Sequence, residues 1–210
     1  MINVFSEENF HELCDKLAKK DKHLKEIIKR HGYPPMWRRK PDFETLIHII
    51  LEQQVSLASA KAALNKLKER IGSITPKKLL ALTDSELKDC YFSRQKIIYA
   101  RHLASSIVNG ELSIKKIASL PDDEIRTKLK KIKGIGDWTV DIFLLMTLQR
   151  SDIFPIGDLA VINSLKKAKQ LSGQIPKEEI LLLTEHWKPH RSIAAMILWH
   201  SYIIERNIRI

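Results

Sequence analysis

Cysteine and glycine are both scarce in this sequence of 210 residues. Its two cysteines, Cys14 and Cys90, are too few for a disulfide framework or for any four-cysteine zinc or iron–sulfur site. There are seven glycines, and the alternation of apolar and polar residues that indicates strands is hard to find. These absences favour a helical protein whose thiols are buried and reduced.

Targeting and membrane segments are also missing from the sequence. The first residues, MINVFSEENF, lack the basic and apolar regions of a signal peptide. No apolar run is long enough to span a bilayer. We therefore expect a cytoplasmic protein with no membrane partner.

Acidic residues are outnumbered by basic ones. The chain has 36 Lys and Arg against 25 Asp and Glu, which gives a formal charge of +11. An excess of this size favours a polyanionic partner, most often nucleic acid, and disfavours self-association, so a monomer is expected. An ordinary enzyme with a basic surface is the alternative. Apolar residues make up 44% of the chain, which is enough for a real core.

Helical periodicity and capping residues predict about ten short helices and an all-α fold. Ser6 opens the first helix and Gly32 ends it, while Asp42 opens the next and Ser56 the one after. Further helices are predicted after Thr75-Pro76, after Thr83 with Glu86 in a capping box, over 93–109, and from Pro121.

The most informative segment is 129–139, with the sequence LKKIKGIGDWT. Gly134 and Gly136 flank one apolar residue, Ile135, between two amphipathic helices. A turn this tight needs residues that tolerate positive φ or close backbone approach, as glycine does. Its exposed amides and its neighbouring lysines suit an anion, so we predict a helix-hairpin-helix element that binds DNA phosphates. The alternative is a helical connection without a ligand.

A second signal follows one helix later, over 154–162. Asp158 stands at the start of a new helix, after a loop that contains Pro155 and Gly157. An aspartate here is a common N-cap, which is the local alternative to a catalytic role.

These segments together resemble the helix-hairpin-helix (HhH-GPD) DNA glycosylases, and most of all the AlkA-like 3-methyladenine DNA glycosylase II branch. The glutamine-containing junction at 49–56 and the segment 185–192, followed by Trp199, carry the resemblance to that branch. The motifs occur in the family's order over roughly 43–204.

The resemblance implies two closely packed helical lobes around a DNA-binding cleft that the hairpin borders. The middle lobe would span 42–139 and include the hairpin. A C-terminal lobe over 140–210 would carry the catalytic aspartate, and the N-terminal helix, within 1–41, would pack against it.

The resemblance also implies roles at the hairpin and at the glutamine junction. The hairpin would bind DNA through Lys133, Gly134, Ile135, Gly136 and Thr139. Family hairpins often hold a monovalent cation, Na⁺ or K⁺, which here would involve the main-chain carbonyls of Lys130, Ile132 and Ile135. Gln53 and Gln54 would fill the gap left by a flipped nucleotide, or contact the orphaned base; alternatively they form a polar helix end satisfied by its own backbone.

The function implied is base excision repair of alkylated purines such as 3-methyladenine and 7-methylguanine in double-stranded DNA. Such an enzyme would lie with the nucleoid in a bacterium and in the nucleus of a eukaryote. Glycosidic cleavage builds positive charge on the sugar, which a carboxylate stabilises, and Asp158 is the predicted catalytic residue. An electron-rich aromatic pocket would prefer a cationic base; Trp138 and Trp199 match pocket residues of the family, while Tyr33 and Trp37 are further candidates.

The family's bifunctional lyases carry a nucleophilic lysine where this chain has Trp138, so a monofunctional glycosylase that leaves an abasic site is predicted. No cofactor and no iron–sulfur cluster is expected. The alternatives are a glycosylase/lyase for another damaged base and a non-catalytic module that binds damaged DNA. Asp137 and Asp141 are rival carboxylates, for which salt bridges or capping are the expected roles, and His186 and His190 lack a third metal ligand.

Overall fold

The computed structural model describes residues 3–208, and these fold almost entirely into helices. The helices are α1 (Glu7–Lys20), α2 (Lys22–His31), α3 (Phe43–Glu52), α4 (Leu57–Ile71), α5 (Pro76–Ala81), α6 (Asp84–Asp89), α7 (Arg94–Val108), α8 (Ile114–Ile117), α9 (Asp122–Leu129), α10 (Asp137–Ile142), α11 (Leu159–Ala168), α12 (Lys177–Glu185) and α13 (Arg191–Glu205). One π-helical segment, Phe143–Thr147, follows α10. Within 3–208 the extended pairing is limited to an isolated bridge between Val4 and Arg150. The all-α prediction is confirmed.

The chain divides into two compact units. The terminal unit combines the part of the chain up to Arg38 with the part from Leu144 onward, and it holds α1, α2 and α11 to α13. The middle unit is Arg39–Phe143, and it holds α3 to α10.

Helix α13 forms the centre of the terminal unit. It packs against α1, α2 and α11, and nine of its fifteen residues are buried, which requires small or apolar side chains around most of its circumference. Trp199 is one of these buried residues, so the core itself fixes the position of its ring.

Helix α3 has the corresponding place in the middle unit. Seven of its ten residues are buried, and it packs against α4, α7 and α10. Its C-terminal end, where Gln53 follows Glu52, is therefore held firmly by the core.

Most predicted helix starts are confirmed by cap geometry. The side chain of Asp42 accepts a hydrogen bond from the Thr45 amide at 2.9 Å, and that of Ser56 accepts one from the Ser59 amide at 3.2 Å. Thr83 forms the predicted capping box, in which the Glu86 carboxylate accepts from the Thr83 amide at 2.8 Å.

The prediction of one helix from Ser6 to Gly32 is wrong. The chain breaks at Asp21, whose backbone is extended (φ −134°, ψ 113°), and α2 starts at the next residue. The Asp21 side chain caps α2 by accepting from the amides of His23 at 2.8 Å and Leu24 at 3.3 Å. Apolar spacing alone could not reveal the break, because the apolar stripe continues through it.

Cys14 and Cys90 are both free and buried, as expected. Burial raises the pKa of the Cys14 thiol to about 12, so this thiol stays protonated near neutral pH. Among the helices of the described chain, none has the length and apolar character needed to cross a membrane.

Candidate functional site

Asp158 is the N-cap of α11, in the terminal unit. One oxygen, Oδ1, accepts hydrogen bonds from the amides of Ala160 and Val161, both at 3.0 Å. The same oxygen accepts a third bond from the indole Nε1 of Trp199, also at 3.0 Å. Three N–H donors, two of them at the helix N-terminus, thus fix the position of this carboxylate oxygen.

The loop before Asp158 is tied to the core of the terminal unit. The Asp158 amide donates to the carbonyl of Pro155 at 2.8 Å. One turn earlier, the Ile153 amide donates to the hydroxyl of Ser192, a residue of α13, at 2.9 Å. The ring of Phe154 packs on buried Trp187, with their centroids 5.9 Å apart. The carboxylate is thus placed by a fixed loop, yet Asp158 itself remains partly exposed.

The structure brings two of the predicted aromatic residues together beside this carboxylate. The rings of Trp37 and Trp199 meet edge to face, with centroids 6.3 Å apart and planes at 83°. Trp37 is half-buried, and its carbonyl accepts from the Gln149 side chain at 3.4 Å. Asp158, Trp199 and Trp37 therefore form one connected group, which we call the Asp158 cluster.

Tyr33 belongs to a different aromatic pair. Its ring stacks on His11 of α1 with centroids 4.4 Å apart. Its hydroxyl donates to Asp15 at 2.7 Å, and this bond raises the pKa of the phenol. The contacts that fix Tyr33 are thus with α1, whereas Trp37 is fixed at the Asp158 cluster.

The hairpin of the middle unit has the predicted plug. The turn is closed by hydrogen bonds from the Ile132 amide to the Leu129 carbonyl and from the Ile135 amide to the Ile132 carbonyl, both at 3.0 Å. The side chains of Ile132 and Ile135 are buried. Ile135 therefore anchors the hairpin to the core, and its backbone is the part that can face a partner.

The two hairpin glycines serve different purposes. Gly134 has φ +88°, and a Cβ atom there would overlap the ring of Tyr99 on α7. Gly136 has φ −102°, and a Cβ atom there would meet nothing within 4 Å. The expected need for positive φ or close approach within the protein is therefore met at Gly134 and absent at Gly136.

The charged residues around the hairpin form the ion pairs expected of the rival carboxylates. Asp137 accepts from Lys130 at 2.7 Å, and buried Asp141 accepts from Arg126 at 2.5 Å. Lys133 uses its backbone amide, which donates to His102 at 3.4 Å, and its side chain is exposed.

The glutamine pair splits into two environments. The side-chain amide of Gln53 donates to the carbonyl of Gly134 and to the hydroxyl of Thr139, both at 2.9 Å. Gln54 is exposed and has φ +57°, a left-handed conformation that is uncommon for a side chain of this kind. Gln53 therefore holds the hairpin in place, while Gln54 lies at the exposed tip of the junction.

The first turn of α10 carries the remaining predicted residues. Trp138 is half-buried, whereas Thr139 is 2% exposed. The Thr139 hydroxyl is enclosed and accepts a hydrogen bond from Gln53, so the predicted DNA contact of Thr139 would have to use its backbone.

Sequence reasoning missed Asp21, a charged residue of the terminal unit that is only 5% exposed. Its Oδ2 accepts from Lys169 at 3.0 Å and from the indole of Trp187 at 2.9 Å, and it lies 2.9 Å from Nε2 of His186. Burial raises the pKa of this carboxyl, but the bonds from His186, Lys169 and Trp187 outweigh burial and hold the pKa well below its usual range. The signal in the sequence was an aspartate, a residue that can cap a helix, in the middle of a continuous apolar periodicity.

No group of three or more His, Cys, Asp or Glu side chains within 3–208 is placed to hold a metal ion.

Comparison with known protein families matches most of the chain to a single family. Residues 47–190 match the HhH-GPD superfamily of base excision DNA repair proteins. The chain is also 30% identical over 188 residues to DNA-3-methyladenine glycosylase 1 of Schizosaccharomyces pombe. This alignment covers 86% of this chain and 82% of that protein. The chain is 28% identical over 186 residues, or 85% of its length, to the Bacillus subtilis protein YfjP, of which it spans only 65%.

A solved structure agrees with these matches. The complex of S. pombe 3-methyladenine DNA glycosylase Mag1 with abasic DNA aligns with a TM-score of 0.80 at 28% identity. The alignment covers 90% of this chain and 95% of the other.

Proposed function

Because the chain belongs to the HhH-GPD superfamily of base excision DNA repair proteins, we propose that it is a DNA glycosylase that removes alkylated purines from double-stranded DNA. The relatives named as 3-methyladenine glycosylases support this substrate class. The observation that carries the proposal is the Asp158 cluster, in which a partly exposed carboxylate is held by three N–H donors.

The reaction replaces a glycosidic bond with a bond to water. The damaged nucleotide first leaves the base stack, at a cost of a few kcal/mol. The bond between the sugar C1′ and the purine nitrogen then breaks, its electron pair leaves with the base, and water adds to C1′. Asp158 stabilises the positive charge that builds on the sugar and accepts the proton of the attacking water.

Aromatic rings supply a preference for a cationic base. An alkylated purine with a positive charge is attracted to an indole face by roughly 0.5 to 2 kcal/mol per contact. In the terminal unit half-buried Trp37 is the ring proposed to contact the base, and Trp199, predicted as a second pocket residue, is 6% exposed and supports Trp37 edge to face beside Asp158. Trp138 of the middle unit is proposed as a further contact on the strength of the family motif.

The hairpin holds DNA through its backbone. Lys131 and Lys133 are exposed, and Gly136, the N-cap of α10, has no side chain to occupy the first amides of that helix. A phosphate is the expected partner of such amides. Gln54 is the residue that enters the gap left by the flipped nucleotide, and Gln53 keeps the hairpin at a fixed place relative to it.

The two glycines offer a matched test of the hairpin. Gly136→Ala adds a methyl group where no protein atom lies within 4 Å, so we expect normal stability and a loss of duplex affinity of tenfold or more. Gly134→Ala collides with Tyr99, so we expect a loss of stability of about 2 kcal/mol. Urea unfolding and fluorescence anisotropy separate the two effects. Wild-type affinity in stable Gly136→Ala would contradict phosphate binding at the hairpin.

A monovalent cation at the hairpin is part of the proposal. The carbonyls of Lys130, Ile132 and Ile135 would hold it; the Ile132 carbonyl accepts one hydrogen bond, from Ile135, and has a second lone pair available. Such an ion would place positive charge beside a DNA phosphate. Duplex affinity in NaCl and KCl, compared with tetramethylammonium chloride at equal ionic strength, tests this, and equal affinity in all three would contradict it.

We further propose that the enzyme is monofunctional. Trp138 has no amine with which to attack the sugar, so the product is an intact abasic site. Strand nicking without added alkali, or an adduct trapped by borohydride, would contradict this proposal.

The central experiment measures base release and nicking separately. Purified protein is incubated with duplexes that contain 3-methyladenine, 7-methylguanine, hypoxanthine or ethenoadenine, with Asp158→Asn as the matched variant. We expect release of the alkylated bases by the wild type and a loss of at least about 100-fold in the variant. Binding without release by the wild type would instead identify a non-catalytic module.

A further inference from the structure

Four basic side chains near the hairpin already serve the fold of the middle unit. Lys96 donates to the Leu51 carbonyl at 2.6 Å, and Arg101 donates to the Leu82 carbonyl at 2.5 Å and to Asp84 at 2.9 Å. Arg126 and Lys130 pair with carboxylates, as described above. These side chains are committed to protein partners, so they explain little of the attraction for a polyanion.

Arg94 and Lys133 differ from these residues. Both are exposed, and within 3–208 the structure records no hydrogen bond or ion pair for either side chain. They line one groove of about 370 Å³, together with Gln95, Ile98 and Tyr99. The groove thus has two cations without a counter-ion and an apolar part, since Ile98 is 41% exposed.

The groove is continuous with the hairpin. The ring of Tyr99 lies directly beneath Gly134. The Lys133 amide bonds to His102, a residue of α7, and the Tyr99 hydroxyl accepts from Gln95. Helix α7 and the hairpin therefore form one surface, on which a ligand held at the hairpin can extend into the groove.

We propose that this groove binds the sugar–phosphate backbone of DNA next to the segment that the hairpin holds. Arg94 and Lys133 bind phosphate oxygens, while Ile98 and the edge of Tyr99 contact the deoxyribose. Two cations and an apolar surface in one groove suit the phosphates and the sugars of a nucleic-acid backbone. This proposal rests on the proposed function, because it takes DNA as the partner.

Salt-dependent binding to an undamaged duplex tests the groove independently of catalysis. Log affinity falls linearly with log salt concentration, and each lost phosphate contact makes this fall less steep by about 0.9. We expect Arg94→Gln and Lys133→Gln each to weaken binding three- to tenfold with a slope lower by about one, and the double variant to lose about two. The matched controls are Arg30→Gln and Lys25→Gln, which remove the same charges from exposed positions on α2.

Affinities and slopes equal to those of the control variants would overturn the proposal. Interference by phosphate ethylation locates the DNA phosphates that each side chain contacts. Arg94→Gln should abolish interference at phosphates adjacent to those at which Gly136→Ala abolishes it. Loss of interference at distant phosphates would also overturn the proposal. A wild-type protein that releases no alkylated base refutes the proposed function instead, and the binding comparison on undamaged DNA still decides the groove.

Discussion

Two aspartates in the terminal unit are built alike and differ in what surrounds them. Asp21 and Asp158 each cap a helix, and each accepts a hydrogen bond from an indole, Trp187 in one case and Trp199 in the other. Asp21 is 5% exposed and is also paired with Lys169. The same local arrangement thus gives a closed ion pair at one place and a partly exposed carboxylate at the other.

The difference shows that the cap itself does not indicate function. The two carboxylate oxygens of Asp21 have different partners. Oδ1 caps α2, and Oδ2 contacts Lys169, His186 and Trp187. In Asp158 one oxygen, Oδ1, takes both the cap amides and the indole. Exposure, and not the capping pattern, separates the structural aspartate from the candidate catalyst.

The largest expected effect is on catalysis at Asp158. Asp158→Asn keeps an oxygen that can cap α11, so the free energy of unfolding should change by less than about 1 kcal/mol. It removes the negative charge, so base release should fall at least about 100-fold. Single-turnover release from an alkylated duplex and urea unfolding measure the two effects. Equal release by wild type and variant would end the catalytic assignment.

The opposite pattern is expected at Asp21. Asp21→Asn leaves Lys169, whose side chain is 14% exposed, without its counter-charge, and the free energy of unfolding should fall by about 3 kcal/mol. The rate of base release per folded molecule should stay within about twofold. If stability is unchanged and release is lost, the two aspartates have been assigned the wrong way round.

The two tryptophans refine the comparison with a smaller effect. Trp199→Phe removes the indole N–H donor at Asp158, and we expect base release to fall about tenfold, which corresponds to about 1.4 kcal/mol. Trp187→Phe removes the donor at Asp21, and we expect lower stability by about 2 kcal/mol without a specific loss of release. A release rate in Trp199→Phe equal to that of Trp187→Phe would show that the indole at Asp158 serves packing only.

Low pH should weaken the stabilising contribution of the Asp21 carboxylate. A carboxyl whose pKa is depressed in the folded state stabilises the protein above its unfolded pKa, near 3.9, and loses that contribution as the pH falls through the folded pKa. The pKa of Asp21 is lowered in this way. Between pH 6 and pH 3, the wild type should therefore lose more unfolding free energy than Asp21→Asn. Parallel curves from urea unfolding at each pH would contradict this.

The sequence predicted the features that depend on residues close together along the chain. Caps at Asp42, Ser56 and Thr83, and the plug at Ile135, follow from spacing of a few residues. The break at Asp21 was missed because its stabilising partners, Lys169 and the residues around Trp187, lie about 150 positions away.

The candidate site shows the same division. The family motifs indicated Asp158 and Trp199 as site residues, and the structure joins them. The contact of Gln53 with Gly134 spans 81 positions, so a local pattern at Gln53 could indicate a polar helix end but not its partner. Tyr99 carried no signal at all, since its importance arises only from lying beneath Gly134.

That last contact has a consequence for how the sequence can vary over time. Wherever Tyr99 is retained, position 134 cannot carry a larger residue, because the ring already fills the volume of a methyl group. A relative with alanine at the position of Gly134 should therefore have a smaller residue in place of the tyrosine, so that the two positions covary although they are far apart in the chain.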